Sequence, residues 1–144
     1  MKKLILLSIG IISLLPACKK NDSDDNSSKI MGKWTMVQDR SVTTVNGVDT
    51  RDTLNFASVC YADFHSDGTV YSYMKDTTAP FPVEISDTLQ YRVQGNTLYT
   101  ATAGDWHASD IITLTGQHLS IRSRDTSVTS AGTEITVTES DLIK

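Results

Sequence analysis

From Ile30 onward the chain alternates apolar and polar residues in short runs, and this period of two constrains the fold more than any other feature. Cys60, Ala62 and Phe64 fall on one side of such a run, Tyr61 and Asp63 on the other. Leu89, Tyr91 and Val93 alternate with Gln90 and Arg92. Leu119, Ile121 and Ser123 alternate with His118, Ser120 and Arg122, and Ile135 and Val137 sit between Glu134, Thr136 and Thr138. Successive side chains of an extended strand lie on opposite faces, so each run reads as a half-buried strand with its apolar side inward. No stretch carries a 3.6-residue apolar repeat bounded by helix caps.

The runs are punctuated by residues that tolerate positive φ: Asn46-Gly47, Asp67-Gly68, Gly95-Asn96 and Thr115-Gly116. They mark candidate strands near Gly32–Val45, Asp49–Phe56, Val59–His65, Thr69–Met74, Asp87–Val93, Thr97–Thr102, Trp106–Leu114, His118–Arg124 and Thr133–Glu139. Short turns between successive strands favour an antiparallel meander, closed into a barrel or packed as a sandwich. Two stretches break the rhythm. Lys75 to Ser86 carries Pro80 and Pro82, which exclude a central strand and predict a long loop. Thr102 to Trp106 reads as a bend around Gly104.

The N-terminus follows a different logic. Lys2 and Lys3 precede an apolar run, Leu4 to Leu15, which ends in small Ala17. This is the order of a secretory signal peptide, and the run is too short to span a bilayer as a helix. Leu15-Pro16-Ala17-Cys18 resembles the lipobox of bacterial lipoproteins. The resemblance implies cleavage after residue 17 and lipidation of Cys18, including an acyl chain such as palmitate. The plainer reading is a signal peptide with an incidental cysteine. Residues 18–29 lack apolar side chains beyond Cys18, so a flexible tether is expected there. Asp22, Asp24 and Asp25 within it resemble a surface-export signal of Bacteroidota lipoproteins. The expected location is the bacterial cell envelope, at the outer membrane, facing the periplasm or the surface.

Charge narrows the partners. The formal net charge is −4, and losing Lys2 and Lys3 with the signal peptide makes it about −6. A negative body lacks the basic face that nucleic acid requires. Attachment to the membrane is therefore expected through the N-terminal lipid. With Cys18 lipidated, Cys60 has no disulfide partner, and its apolar neighbours predict a small buried hydrophobe.

Gly32-x-Trp34, Phe64 to Thr69 (FHSDGT), Tyr91 to Leu98 (YRVQGNTL) and Ile112 to Ile121 (ITLTGQHLSI) follow one another in order. By these motifs Ile30 to Lys144 resembles the lipocalin-like domain of small Bacteroidota-type lipoproteins. The resemblance implies an all-β fold over residues 30–144, an up-and-down antiparallel barrel of about eight strands that either holds one small ligand or fills itself with side chains. Gly32 and Trp34 are expected to be structural, with Trp34 closing the barrel floor and its indole N–H needing a partner there. Phe56, Phe64, Tyr91 and Leu119 are the inward-facing candidates for a ligand wall; their plainer role is core packing.

Chemistry-bearing motifs are sparse. The three histidines show no zinc spacing. Asp63, His65 and Asp67 alternate and offer a conceivable metal site. The favoured reading is a strand entering a solvated Asp-Gly turn, with Asp67 bonding its own backbone. No nucleophile elbow occurs and no phosphate-cradling loop, so neither an enzyme nor a cofactor is expected. Two functions follow from the resemblance: binding of a small, partly apolar ligand, or a filled barrel that serves as a protein-interaction module.

Overall fold

The computed structural model describes residues 23–76, 83–130 and 132–144. A short helix, α1 (Ser23–Ile30), leads into nine strands: β1 (Gly32–Val45), β2 (Val48–Asn55), β3 (Tyr61–Phe64), β4 (Thr69–Asp76), β5 (Val83–Gln94), β6 (Thr97–Thr102), β7 (Asp105–Leu114), β8 (His118–Thr129) and β9 (Gly132–Ile143). Every neighbouring pair is antiparallel, and β9 returns to β1, so the sheet closes on itself. The lower part of β1, Gly32–Thr35, pairs with β3, and Gln38–Val45 pairs with β2 along the same edge. Phe56 N–H donates to Val37 O and Met36 N–H to Cys60 O across the gap. β2 and β3 are therefore one stave interrupted at residues 56–60, and the barrel has the eight staves expected.

Tight turns fix the register of the hairpins. Asn46 and Gly47 have φ of 51° and 80°, and Ala103 and Gly104 have 52° and 96°. Two consecutive positive φ values match the twist of the flanking strands. The bend expected around Gly104 is thus a two-residue hairpin joining β6 to β7.

One end of the barrel is packed solid. Ile30, Trp34, Phe64, Val70, Leu98, Ile111, Leu119 and Leu142 form a single buried cluster, with Met36, Leu89, Val93 and Ile121 against it. Each fully buried large apolar side chain contributes about 1.5–3 kcal/mol. Trp34 is fully buried, and its Nε1–H donates to Ile30 O at 2.6 Å. Gly32 has φ of 101°, a conformation that side chains with a Cβ rarely adopt, which accounts for glycine two residues before the tryptophan. Cys60 is buried, as expected of a small hydrophobe, and its Sγ accepts the Lys75 N–H at 3.3 Å.

Three expectations are corrected. Ser23–Ile30, within or next to the expected tether, is helical. It is held by tertiary contacts that local sequence does not show: Asn26 Nδ2 donates to Gly95 O and Asn96 Oδ1 in the β5–β6 turn, and Ile30 is buried. The long loop expected from Lys75 to Ser86 is shorter, because β4 runs to Asp76 and β5 resumes at Val83. Lys75 and Glu84 face each other there, with Nζ 2.6 Å from Oε1. Pro80 and Pro82 lie outside the described residues. Finally, Val137 and Ile135 do not share the core face. The β8–β9 ladder runs without a register shift, so they alternate away from Leu142 and lie with Glu139 and Asp141.

Candidate functional site

The sheet presents a trough of about 810 Å³ that crosses β2, β1, β9, β8 and β7. Strand alternation places most of its lining on the face opposite Leu119, Ile121 and Leu142. A twisted sheet is saddle-shaped, so even the outer face of a barrel is concave along one diagonal. The long β1–β2 and β8–β9 hairpins extend this saddle beyond the packed end. The ladder between β7 and β8 stops at Ser109 and Ser123, which leaves the far half of β8 paired only with β9.

Register sets the side chains in rows. In one row Thr53, Arg40, Glu139, Arg122 and Asp110 stand opposite one another on β2, β1, β9, β8 and β7. Glu139 lies between two arginines and bonds both, Arg40 at 2.8 Å and Arg122 at 2.9 Å. Arg40 also reaches Asp141 at 2.7 Å, and Gln38 donates to the same carboxylate at 3.3 Å. The next row reads Arg51, Val42, Val137 and Arg124 on β2, β1, β9 and β8. Two half-buried valines therefore form a small apolar floor between two exposed arginines.

On the inner face of the same strands the lining turns polar. Asp39 pairs with Ser140 across β1 and β9. Burial raises the Asp39 carboxyl above its ordinary value; the hydrogen bond from Ser140 opposes this and the nearby Asp141 charge adds to it.

The residues expected at a ligand wall lie elsewhere. Phe64 and Leu119 are buried in the core cluster. Tyr91 stands edge-on to Phe64, with ring centres 5.0 Å apart, and its hydroxyl donates to His65 O. Phe56 sits at the interruption between β2 and β3. None of the four lines the trough. At the Asp-Gly turn, Asp67 Oδ1 accepts from Thr69 N–H and Oγ1–H, which lowers its carboxyl pKa, while His65 stands 3.5 Å from Asp63. Among the described residues no group of three or more His, Cys, Asp or Glu is placed to hold a metal ion. The trough arginines were not among the sequence candidates. The available sign is Arg122-Ser123-Arg124, two arginines on one side of one strand.

Comparison with known proteins bears on the fold. No curated protein matches the chain. Among solved structures, a deswapped triple mutant of bovine odorant binding protein is 17% identical with a TM-score of 0.45, over 81% of this chain and 74% of that one. The complex of bovine odorant binding protein with undecanal is 18% identical with a TM-score of 0.45, over 82% and 72%. The profile of the lipocalin-like domain matches residues 30–121, from the end of α1 through the first third of β8. With a closed antiparallel barrel that opens on Gly32-x-Trp34, this chain belongs to the lipocalin-like domain family.

Proposed function

We propose that the protein is a lipid-anchored binding protein of the bacterial cell envelope that takes a small, partly apolar ligand in the trough across β2, β1, β9, β8 and β7. Residues 1–17 serve as the signal peptide, and lipidated Cys18 holds the barrel at the outer membrane. Both lie outside the described residues. One observation carries the binding reading: the concavity of about 810 Å³ falls within the range of small-molecule sites, roughly 300–1,000 Å³. The reading is of binding rather than turnover.

Native mass spectrometry of the purified protein after soaking in an envelope extract tests it. A discrete bound mass is expected, and it should disappear in Val42→Trp, which fills the trough floor. Protein that stays empty, or a bound mass indifferent to Val42→Trp, defeats the reading. The filled core also favours a second reading, a protein-interaction module. Val128 and Val48, 85% and 69% exposed at the far ends of β8 and β2, are where a partner protein would gain apolar contact.

A further inference from the structure

We infer that the trough recognises an organic anion, with the charged group held between Arg51 and Arg124 and the apolar part lying on Val42 and Val137. The inference rests on the trough being the ligand site and adds the class of ligand.

The first support is distribution. The protein has five arginines and a formal charge of −4, yet Arg40, Arg51, Arg122 and Arg124 all line this one trough. The second is pairing. Arg40 and Arg122 are engaged by Glu139 and Asp141. Arg51 and Arg124 have no ion-pair or hydrogen-bond partner among the described residues. Of the acids near Arg51, Asp49 accepts from Thr44 Oγ1–H, and Asp52, which also lines the trough from the opposite strand alternation, accepts from the Thr53 N–H; neither forms an ion pair with Arg51. Asp110 stands opposite Arg122, one row away from Arg124. Two guanidinium groups are thus left to a ligand.

The third support is register. Arg51, Val42, Val137 and Arg124 are direct cross-strand partners, although the two arginines lie on strands distant in sequence. Three strand spacings of about 4.8 Å put their Cα atoms about 14 Å apart. That span accommodates a small molecule on the valines with a guanidinium approaching from either side. Guanidinium binds carboxylate, sulfate and phosphate through paired N–H donors, and its weak hydration keeps the cost of desolvation low. The valines exclude water from one side of the ligand, where charge-assisted bonds gain strength.

The test is titration calorimetry of the purified protein with octanoate, octyl sulfate, suberate and inorganic phosphate, with octanol as the neutral match. Saturable binding of at least one anion is expected, weakening as salt is raised. Arg51→Gln and Arg124→Gln should each lower the affinity about tenfold or more. Both positions are exposed and unpaired, so both variants should melt like the parent. Arg92→Gln serves as control, because Arg92 stacks on Tyr99 and Trp106 and does not line the trough, and its affinity should be unchanged. Octanol binding as well as octanoate, or Arg51→Gln and Arg124→Gln retaining full affinity, overturns the anion inference while the trough remains a ligand site. Failure of every anion to bind also overturns it. Anion binding that survives Val42→Trp unchanged defeats the trough reading itself.

Discussion

The Lys144 ammonium lies 4.3 Å from the centre of the Trp34 ring and donates to the carbonyl oxygens of Lys29 and Met31. One side chain thus covers the floor tryptophan and secures the segment joining α1 to β1. Lys144→Met should keep much of the stem's contact and lose the charge and both hydrogen bonds. We expect a loss of about 1–2 kcal/mol in urea denaturation, with the m-value unchanged. A loss within experimental error would show that the contact only decorates the surface.

Ala103 sits at φ of 52° in the β6–β7 turn, where an alanine side chain is strained. Asn-Gly is the preferred pair for such a turn. Ala103→Asn should therefore raise stability by about 0.5–1 kcal/mol. A thermal melt reads this directly, and an unchanged or lower midpoint would contradict it.

Asp39 supplies a pH dependence. Unfolded, its carboxyl titrates near the ordinary 3.8; folded, burial makes it hold its proton to higher pH. Between those two values the native state binds more protons than the unfolded state. Stability contributed by this group therefore falls as pH rises through that window and stays lower above it. Asp39→Asn removes the ionisation, so its stability advantage should be full at neutral pH, shrink as pH falls through that window and be gone below the ordinary carboxyl value. Denaturation curves at pH 3, 5 and 7 check the sign.

Glu139 neutralises Arg40 and Arg122 at the edge of the trough. The side chains are partly exposed, and pairs of this kind contribute only about 0–1 kcal/mol each. Glu139→Gln should accordingly cost little stability. It should also free the Arg122 guanidinium beside the proposed anion site, while Arg40 keeps Asp141, so octanoate affinity should rise several-fold. An unchanged affinity would place the anion beyond the reach of Arg122.

If Cys18 carries the proposed lipid anchor, Cys18→Ser should abolish incorporation of labelled palmitate and shift the protein from the membrane fraction to the soluble one. Retained label would identify another attachment site.

Most of the sheet was legible because its signal is local. Alternation in Ala62–Phe64, Leu89–Val93 and Leu119–Ile121 gave the correct inward residues, and paired turn residues gave the hairpins. α1 escaped because its segment is polar up to Ile30, and its docking depends on Asn26 meeting a turn some seventy residues away. The orientation of Ile135 and Val137 escaped for a related reason. An isolated run shows that alternate residues share a face, but only its register against β8 tells which face meets the core. The trough was hidden more deeply still, since Arg51 and Arg124 become neighbours of one apolar floor only when four strands align.

β1 is bordered by β2 and β3 on one side and by β9 on the other, with Thr35 opposite Ile143. That seam joins residues about 90 to 110 positions apart, so the ring can latch only after nearly all of the intervening hairpins exist. Until then both borders offer unsatisfied backbone groups to any other extended chain. A chain delivered across a membrane unfolded would spend that interval most in need of a chaperone, and shortening β9 should favour aggregates over a smaller barrel.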